Sequence, residues 1–376
     1  MNQGKILVTC PKAIPPILAD ELRALGFPVL SMVPAGVETE GTLADCMKLN
    51  LRLRTGHRVL RLISEVTANT PDELHAMLVH IPWEEYLRED GYFSVSASAE
   101  TPSIKDARYA ALKCKDAIAD RIKSIHGRRP DSGPDQDRAV VFLHWKGDKA
   151  SVYFDTSGEP LSRRGYRLIP LRAPMQETLA AAVVLTTGWS GQGSFINPMC
   201  GSGTLAIEAA LIATGRAPGL LRKNFGFMHT KDFDVAQWEA LRSEAEATPD
   251  RPLEHKIIAT DIEPEAVDAA RQNAALARVD HLIEFGVCDF VDTPVAEGGG
   301  VVVFNPEYGE RMGFERWLGP VYWGVGEFLK RKCKGYKGYV FTGNERLLKK
   351  IALKPNRTRR FFNSNIECTL VEFDLY

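Results

Sequence analysis

No stretch of this 376-residue sequence approaches the roughly 18 consecutive apolar residues of a membrane-crossing helix, so no membrane association is expected. The opening residues, MNQGKILV, lack the apolar core and small-residue cleavage site of an export signal. Cysteine is sparse and scattered, at positions 10, 46, 114, 200, 288, 333 and 368. There is no C-x-x-C pair and no local cluster with histidine. That pattern argues against a disulfide frame and against a zinc site, and it reads as reduced thiols in the cytoplasm. No metal is expected. Internal repeats and low-complexity stretches are missing too. Net charge is also nearly absent, with 47 Lys+Arg against 48 Asp+Glu. Taken alone, that balance argues against a nucleic-acid partner, because phosphate binding draws on a basic surface.

The balance conceals a distribution. Residues 101–172 carry 15 basic and 9 acidic side chains, and residues 316–360 carry 13 and 2. Between them, residues 231–300 carry 6 basic and 16 acidic ones. Two basic regions flanking an acidic one keep a polyanion partner in play. The 44% apolar share is ample for packed cores, and the length suits two or three domains.

The first half reads as a mixture of strands and helices. GKILVTC (4–10) is a short buried strand, and Pro15 and Pro16 open a helix that stops at Gly26. A β-like segment spans 29–40, and a long basic helix is predicted from Leu43 to Arg61. Further helices are predicted over 70–88 and 104–125. Strands are predicted over 92–99, 139–145 and 150–155, with a polar loop over 131–137. The second half changes character. Strand-like segments recur at 193–197, 256–260, 282–287 and 300–304, with helical patterns between several of them. Such alternation implies a mostly parallel sheet covered on both faces. In these sheets ligands bind beyond the carboxyl ends of the strands.

Each strand end carries chemistry. The first is followed by Asn197-Pro198-Met199-Cys200-Gly201-Ser202-Gly203-Thr204, where glycines permit close approach of backbone to a ligand. The third glycine of a dinucleotide fingerprint is missing, and so is the lysine of a phosphate-binding P-loop. After the second strand, Asp261 suits a ribose diol, and equally a helix cap. After the third, Asp289 suits an adenine amine with Phe290 covering the ring, and equally an ordinary loop. After the fourth comes Asn305-Pro306-Glu307-Tyr308-Gly309. An exocyclic amine is a poor nucleophile because its lone pair is delocalised into the ring. The Asn305 side-chain carbonyl and the Pro306 backbone carbonyl can both accept its hydrogens and orient it. Tyr308 can stack on the base. An Asx–Pro turn would use the same residues. Four such segments on successive strand ends, in this order, favour a nucleoside cofactor beside an amine acceptor.

The arrangement resembles class I S-adenosylmethionine-dependent methyltransferases, in the amino-methylating branch with an Asn-Pro-Pro-Tyr motif. The first half resembles a ferredoxin-like segment joined to a THUMP RNA-binding domain. The resemblance runs over nearly the whole chain, through Lys115–Ile118, Leu161–Arg167 (LSRRGYR), Ala173–Ala182 and Asn197–Ala210. It is nearest to bacterial large-subunit ribosomal RNA guanine-N2 methyltransferases, with transfer-RNA guanine-N2 enzymes next. It implies an α/β chain with a Rossmann-like methyltransferase domain, built on a mostly parallel seven-stranded sheet and preceded by an α+β region. The implied domains are 1–62, ferredoxin-like; 63–168, THUMP; and 169–376, methyltransferase.

Carried over, the resemblance implies that Asn197, Pro198, Cys200, Gly201, Gly203 and Thr204 border the methionine part of S-adenosylmethionine. Glu177 and Thr178 would close its pocket. Asp261 would hold the ribose, Ile262 would touch the adenine, and Asp289 and Phe290 would complete that site. Asn305, Pro306 and Tyr308 would position the guanine. An RNA partner is implied, ribosomal or transfer, for a monomer or homodimer. Lys105, Arg108, Lys113, Lys115, Arg121, Lys123, Arg128 and Arg129 would form one phosphate-facing track, joined by Arg163, Arg164 and Arg167. The clusters at 330–337 and Arg357–Arg360 are basic with aromatics nearby. The motif's second proline is Glu307 here, which removes a backbone restraint and adds a carboxylate. It motivates a competing reading as a non-catalytic RNA-binding protein. A dehydrogenase is disfavoured by the missing third glycine and by Asn-Pro-x-Tyr. The segment 215–255, with its Phe225–Phe227 region, resembles a family insertion.

Overall fold

The computed structural model describes residues 3–168, 175–248, 250–308 and 315–376, the side chains of residues 315 and 316 excepted. The chain begins with β1 (Gly4–Thr9), α1 (Pro15–Ala24), β2 (Ser31–Val33), β3 (Gly36–Gly41) and α2 (Leu43–Arg52). The start of α2 is set by a reciprocal cap. Asp45 N–H donates to the Thr42 hydroxyl and Thr42 N–H donates to the Asp45 carboxylate. The helix expected to reach Arg61 stops at Arg52, where Leu53 turns extended, and β4 (Arg58–Thr67) follows. RVLRLISEVT does not alternate apolar and polar residues, but its β-branched Val59, Ile63, Val66 and Thr67 favour a strand. The helix expected over 70–88 is likewise shorter. α3 (Pro71–Val79) ends ahead of Pro82, and only a single 3-10 turn, Trp83–Glu85, lies beyond.

Next come β5 (Tyr92–Glu100), α4 (Ala107–His126), β6 (Asp131–Ser132), β7 (Ala139–Lys146) and β8 (Lys149–Asp155). The two-residue β6 lies in the expected 131–137 loop. All eight strands form one sheet in the order β2-β3-β1-β4-β8-β7-β5-β6. β4 pairs antiparallel with β1 on one side and with β8 on the other. Leu74 and Leu78 of α3 and Cys114, Ile118 and Ile122 of α4 share a core with Val141, Leu143 and Val152 of the sheet.

The second sheet is built from α5 (Glu177–Thr187), β9 (Ser194–Pro198), α6 (Thr204–Thr214), α7 (Val235–Ala247), β10 (Ile257–Asp261), α8 (Pro264–Leu276), β11 (Ile283–Val287), β12 (Gly300–Phe304), α9 (Glu315–Lys332), β13 (Tyr336–Thr342), α10 (Glu345–Leu348), β14 (Arg357–Asn363) and β15 (Ile366–Asp374). Its strand order is β11-β10-β9-β12-β13-β15-β14. The first five strands run parallel and β15 runs antiparallel to both of its neighbours. This is the mostly parallel seven-stranded sheet expected, although β13, β14 and β15 were not individually legible. The chain moves outward from β9 through β10 to β11 and then returns to β12 on the other side of β9. That reversal opens a crevice at the carboxyl ends of β9 and β12.

Two compact units emerge, each with its own core. One comprises Met1–Cys10, Ala19–Leu161 and Arg222–Ala245; the other comprises Pro11–Leu18, Ser162–Leu221 and Glu246–Tyr376. The expected boundary after residue 62 falls inside β4. Part of the long segment between β9 and β10 belongs to the first unit. There the Arg222 guanidinium donates to the carbonyls of Ser157, Glu159 and Pro160 at 2.9–3.1 Å. Phe225 stacks on Phe227, and Trp238 packs edge-on against Phe225 and tilted against Phe227. The Phe225–Phe227 region is therefore part of a small core.

Candidate active site

All four expected strand ends lie in the second unit. Beyond β9 the backbone turns through Met199 (φ 57°), Gly201 (φ 54°) and Gly203 (φ 82°) before α6 begins at Thr204. Gly203 is required twice over. Its φ is left-handed, and a Cβ there would lie 2.8 Å from Ala270 Cβ of α8. The loop is laced to β10, since Cys200 N–H donates to the Thr260 carbonyl (2.9 Å) and Gly201 N–H to Asp261 Oδ2 (2.9 Å). Asn197 is fully buried and its amide donates to the Val303 carbonyl of β12 (2.9 Å), which ties β9 to the strand carrying Asn305.

Asp261 does not cap α8, whose N-cap is Glu263. Its carboxylate accepts from Gly201 N–H and from Glu263 N–H (3.1 Å), leaving lone pairs for a diol. Ile262 beside it is 61% exposed, an apolar side chain open largely to solvent. Asp289 accepts from Val291 N–H (3.1 Å), and Phe290 packs edge-on against Phe304 and Phe328. Burial pushes the Cys200 thiol well above its ordinary range, and the Asp261 charge adds to the effect. Cys200 is thus held as a neutral thiol.

At the end of β12, Asn305 Oδ1 is buried and accepts no hydrogen bond from any described residue. Asn197 Oδ1 is in the same state. A buried acceptor left unpaired costs about 1–3 kcal/mol, and such exceptions call for an explanation. Pro306 is buried, whereas Glu307 is exposed. Tyr308 is held by Asn363, whose amide donates to its Oη (2.9 Å), and Tyr322 Oη donates to the Glu307 carbonyl (3.3 Å). Neither Asn363 nor Tyr322 was legible as a site residue, because each acts from a strand or helix distant in sequence. Gly309 lies outside the described residues, as do Ala173 and Pro174 of the 173–182 segment.

Two arginines read as RNA contacts are elsewhere. Arg164 is 1% exposed, with its guanidinium on the Glu208 carboxylate of α6 (Nε to Oε1, 3.3 Å). Tyr166 Oη donates to the same carboxylate (3.1 Å). Burial opposes the Arg164 charge, yet Glu208 holds its pKa above the ordinary value. Burial pushes the Tyr166 phenol far upward, and Glu208 reinforces it. A buried charge must be paired to persist, and this one is paired inside the unit rather than with phosphate. Arg167 also turns inward. It pairs with Glu177 (3.4 Å) and donates to the Thr204 hydroxyl (3.1 Å) at the start of α6. Burial raises the Glu177 pKa, and Arg167 opposes the rise. Glu177 and Thr178 are buried at the first turn of α5, so Glu177 and Thr204 meet through Arg167. One signal for this network was present: Glu208 is a lone carboxylate in the apolar run LAIEAALIA.

In the first unit the expected basic track is partly neutralised. Lys113 pairs with Asp72 (2.7 Å), Arg121 with Glu84 (2.6 Å), Arg108 with Asp106 (2.6 Å) and Arg129 with Asp120 (3.1 Å). Lys105, Lys123 and Arg128 are exposed, Lys115 is half-buried, and Arg163 is exposed in the second unit.

Residues 164–372, more than half of the chain, match the family described as RMKL-like, methyltransferase domain. The chain belongs to the RMKL-like methyltransferase family. Residues 5–60 match the RlmL ferredoxin-like domain and residues 68–155 the THUMP domain. The RMKL-like chain is 38% identical to a ribosomal RNA large subunit methyltransferase K/L of Syntrophotalea carbinolica, over 99% of this chain and 53% of that protein. It thus spans about half the length of the curated relatives it matches. Among solved structures, SMU.472, a methyltransferase complexed with SAH, superposes at a TM-score of 0.90 with 27% identity, covering 100% of this chain and 99% of that one. A protein named as an N6-adenine-specific DNA methylase from Listeria monocytogenes superposes equally well, at 0.90 with 30% identity, over 100% and 97% of the two chains. The RMKL-like chain therefore has a class I methyltransferase fold preceded by ferredoxin-like and THUMP domains. Among the described residues no helix is long and apolar enough to cross a membrane, and no cluster of side chains could hold a metal ion.

Proposed function

We propose that this chain transfers a methyl group from S-adenosylmethionine to the exocyclic N2 amine of a guanine in large-subunit ribosomal RNA. The observation that carries the reading is the buried Asn305 Oδ1 beside Pro306, which has no hydrogen-bond partner among the described residues, at the end of the strand next to β9, which leads into the Gly201–Gly203 loop. The THUMP match and the name of the curated relatives support RNA as the acceptor.

S-adenosylmethionine supplies a methyl already activated on a sulfonium centre. The chain's own residues bind and orient. Asn197, Pro198, Cys200, Gly201, Gly203 and Thr204 border the methionine end, with Glu177 and Thr178 closing that side. Asp261 accepts from the ribose hydroxyls, the exposed Ile262 covers one face of the adenine, and Asp289 and Phe290 complete the pocket. Asn305 Oδ1 and the Pro306 carbonyl accept the two amine hydrogens, which localises the nitrogen lone pair and aims it in line with the methyl. Tyr308, pinned by Asn363, stacks on a base that has left its helix. No covalent enzyme intermediate is needed. Glu307 replaces a proline but leaves both acceptors in place, and its exposed carboxylate is available to the guanine Watson–Crick edge. The domains 1–62, 63–168 and 169–376 serve as ferredoxin-like, THUMP and methyltransferase parts. The chain acts in the cytoplasm as a monomer or homodimer, which light scattering distinguishes.

Nucleoside mass spectrometry on ribosomal and transfer RNA from cells lacking the gene tests the acceptor. Loss of N2-methylguanosine from large-subunit RNA supports the reading, and loss confined to transfer RNA moves the substrate there. The Listeria relative's name points to adenine N6 in DNA, so methyl transfer to duplex DNA is a third arm of the assay. A protein that binds the cofactor but methylates none of these is the non-catalytic RNA-binding protein that Glu307 also suggests.

A further inference from the structure

The first unit contains a cavity of about 220 Å³ whose lining includes Arg88, Asp90, Tyr92, Arg138, Met228 and His229. Three chain segments build it: the turn before β5, the residue before β7, and the 3-10 turn Gly226–His229 from the segment between β9 and β10. The segments are fastened to one another. Lys231 N–H donates to the Tyr86 carbonyl (3.1 Å), and its ammonium donates to the Glu84 carbonyl (2.9 Å). The Asn224 amide donates to the Asp137 carbonyl (2.6 Å), while Asn224 Oδ1 meets His229 Nε2 (2.8 Å). The cavity wall is therefore held from both sides.

Many arginines elsewhere in the unit are paired with carboxylates, although Arg128 is exposed like those of the cavity. Arg52, Arg58, Arg61, Arg108, Arg121 and Arg129 all have carboxylate partners. Arg88 and Arg138 are exposed, and neither has a carboxylate partner among the described residues. Both bear on His229, where burial acts first and these two cations add to the lowering of its pKa. His229 is thus a neutral wall, and the positive charge of the cavity rests on two guanidiniums. Asp90 lines the same cavity. It disfavours a bare inorganic anion and can accept from a hydroxyl, so a phosphodiester beside a ribose fits best.

We propose that this cavity is an RNA-phosphate site in which Arg88 and Arg138 together grip one backbone phosphate, remote in sequence from Asn305. The proposal rests on the reading of the chain as an RNA methyltransferase. It moves the anchoring role from the α4 track to a cavity that the segment between β9 and β10 helps to build.

The test is fluorescence anisotropy of a labelled transcript of large-subunit ribosomal RNA with the full chain, across a salt series. Arg88→Gln/Arg138→Gln should raise Kd roughly tenfold, and the salt slope should fall by about 0.7 for the one phosphate lost. Binding of S-adenosylhomocysteine, read by calorimetry, should be unchanged. Arg88→Lys/Arg138→Lys should recover most of the salt slope, which a purely structural role would not restore. An unchanged Kd and slope in the Gln variant, with wild type binding normally, overturns the cavity proposal alone. Wild type that binds S-adenosylhomocysteine but no RNA overturns the functional reading and the cavity with it.

Discussion

Asn305 keeps a buried carbonyl oxygen with nothing to accept from among the described residues, and that is a cost. Replacing it with alanine removes the acceptor without disturbing β12. Asn305→Ala should therefore lower kcat by roughly 10²–10³-fold, with S-adenosylhomocysteine affinity held within about twofold in calorimetry, because the residue acts on the transferred-to amine. A parallel loss of cofactor affinity would place Asn305 in the cofactor pocket instead. Residue-scale reading of the sequence was weakest for the arginines. Arg163 and Arg164 are adjacent and chemically identical, yet one is exposed and the other fully buried on Glu208. A one-residue difference in direction is invisible without knowing where α6 lies. Arg164→Ala strands the Glu208 carboxylate and should cost about 3–5 kcal/mol in urea unfolding. Arg163→Ala should stay within about 0.5 kcal/mol. Equal effects at the two positions would contradict the buried pairing.

At the scale of elements, the strand ends of the second half were legible because parallel strands are apolar runs ending in turn residues, and the ligand chemistry follows the turn. What could not be read was β13 to β15. β14, RTRRFFN, is a charged strand at the edge of its sheet, and edge strands carry such charge to deter pairing with other chains. β4 was lost for another reason, since Val59, Leu62, Ile63 and Val66 recur at helical spacing and continue the period of α2 past its true end. The turn before α6 is the element on which the site depends most. Gly203→Ala forces a side chain into a left-handed conformation, costing about 1–2 kcal/mol, and drives its methyl into Ala270. Moving α8 away to relieve that contact displaces the β10–α8 turn. The expected outcome is a lower melting temperature and at least a tenfold weaker Kd for S-adenosylhomocysteine. A variant that melts lower but binds normally would mean that the loop does not border the cofactor.

Across the whole molecule, six of the seven scattered thiols are buried, and Cys288 is half-exposed. Burial raises the thiols of Cys46, Cys114 and Cys333 to about 12, and it does the same for Cys10, where Glu21 contributes further. Because the thiolate is the nucleophile, raising pH speeds alkylation only as it approaches the pKa. At pH 9 a thiol with a pKa near 12 is ionised to about one part in a thousand. Iodoacetamide at that pH should therefore modify the half-exposed Cys288 first and leave these four intact until urea unfolds the chain. Mass spectrometry of the labelled peptides reads the order, and early modification of Cys114 would contradict the packing of α4. The near-zero net charge also has its explanation at this scale. On α4, Lys113 and Arg121 are matched by Asp72 and Glu84 from outside the helix, and Arg129 beyond it is matched by Asp120, pairings which a count along the sequence cannot reveal.

The eight-stranded sheet has one further consequence. Residues 5–60 and 68–155 match two separately named domains, yet β4 is hydrogen-bonded to β1 on one flank and to β8 on the other. Excising 68–155 would strip β8 of its neighbour and leave a row of bare N–H and C=O groups, an invitation to aggregate. The portable module, for anyone grafting this region onto another enzyme, is the pair of domains with β4 kept whole between them, together with the Arg222–Ala245 segment that belongs to the same unit.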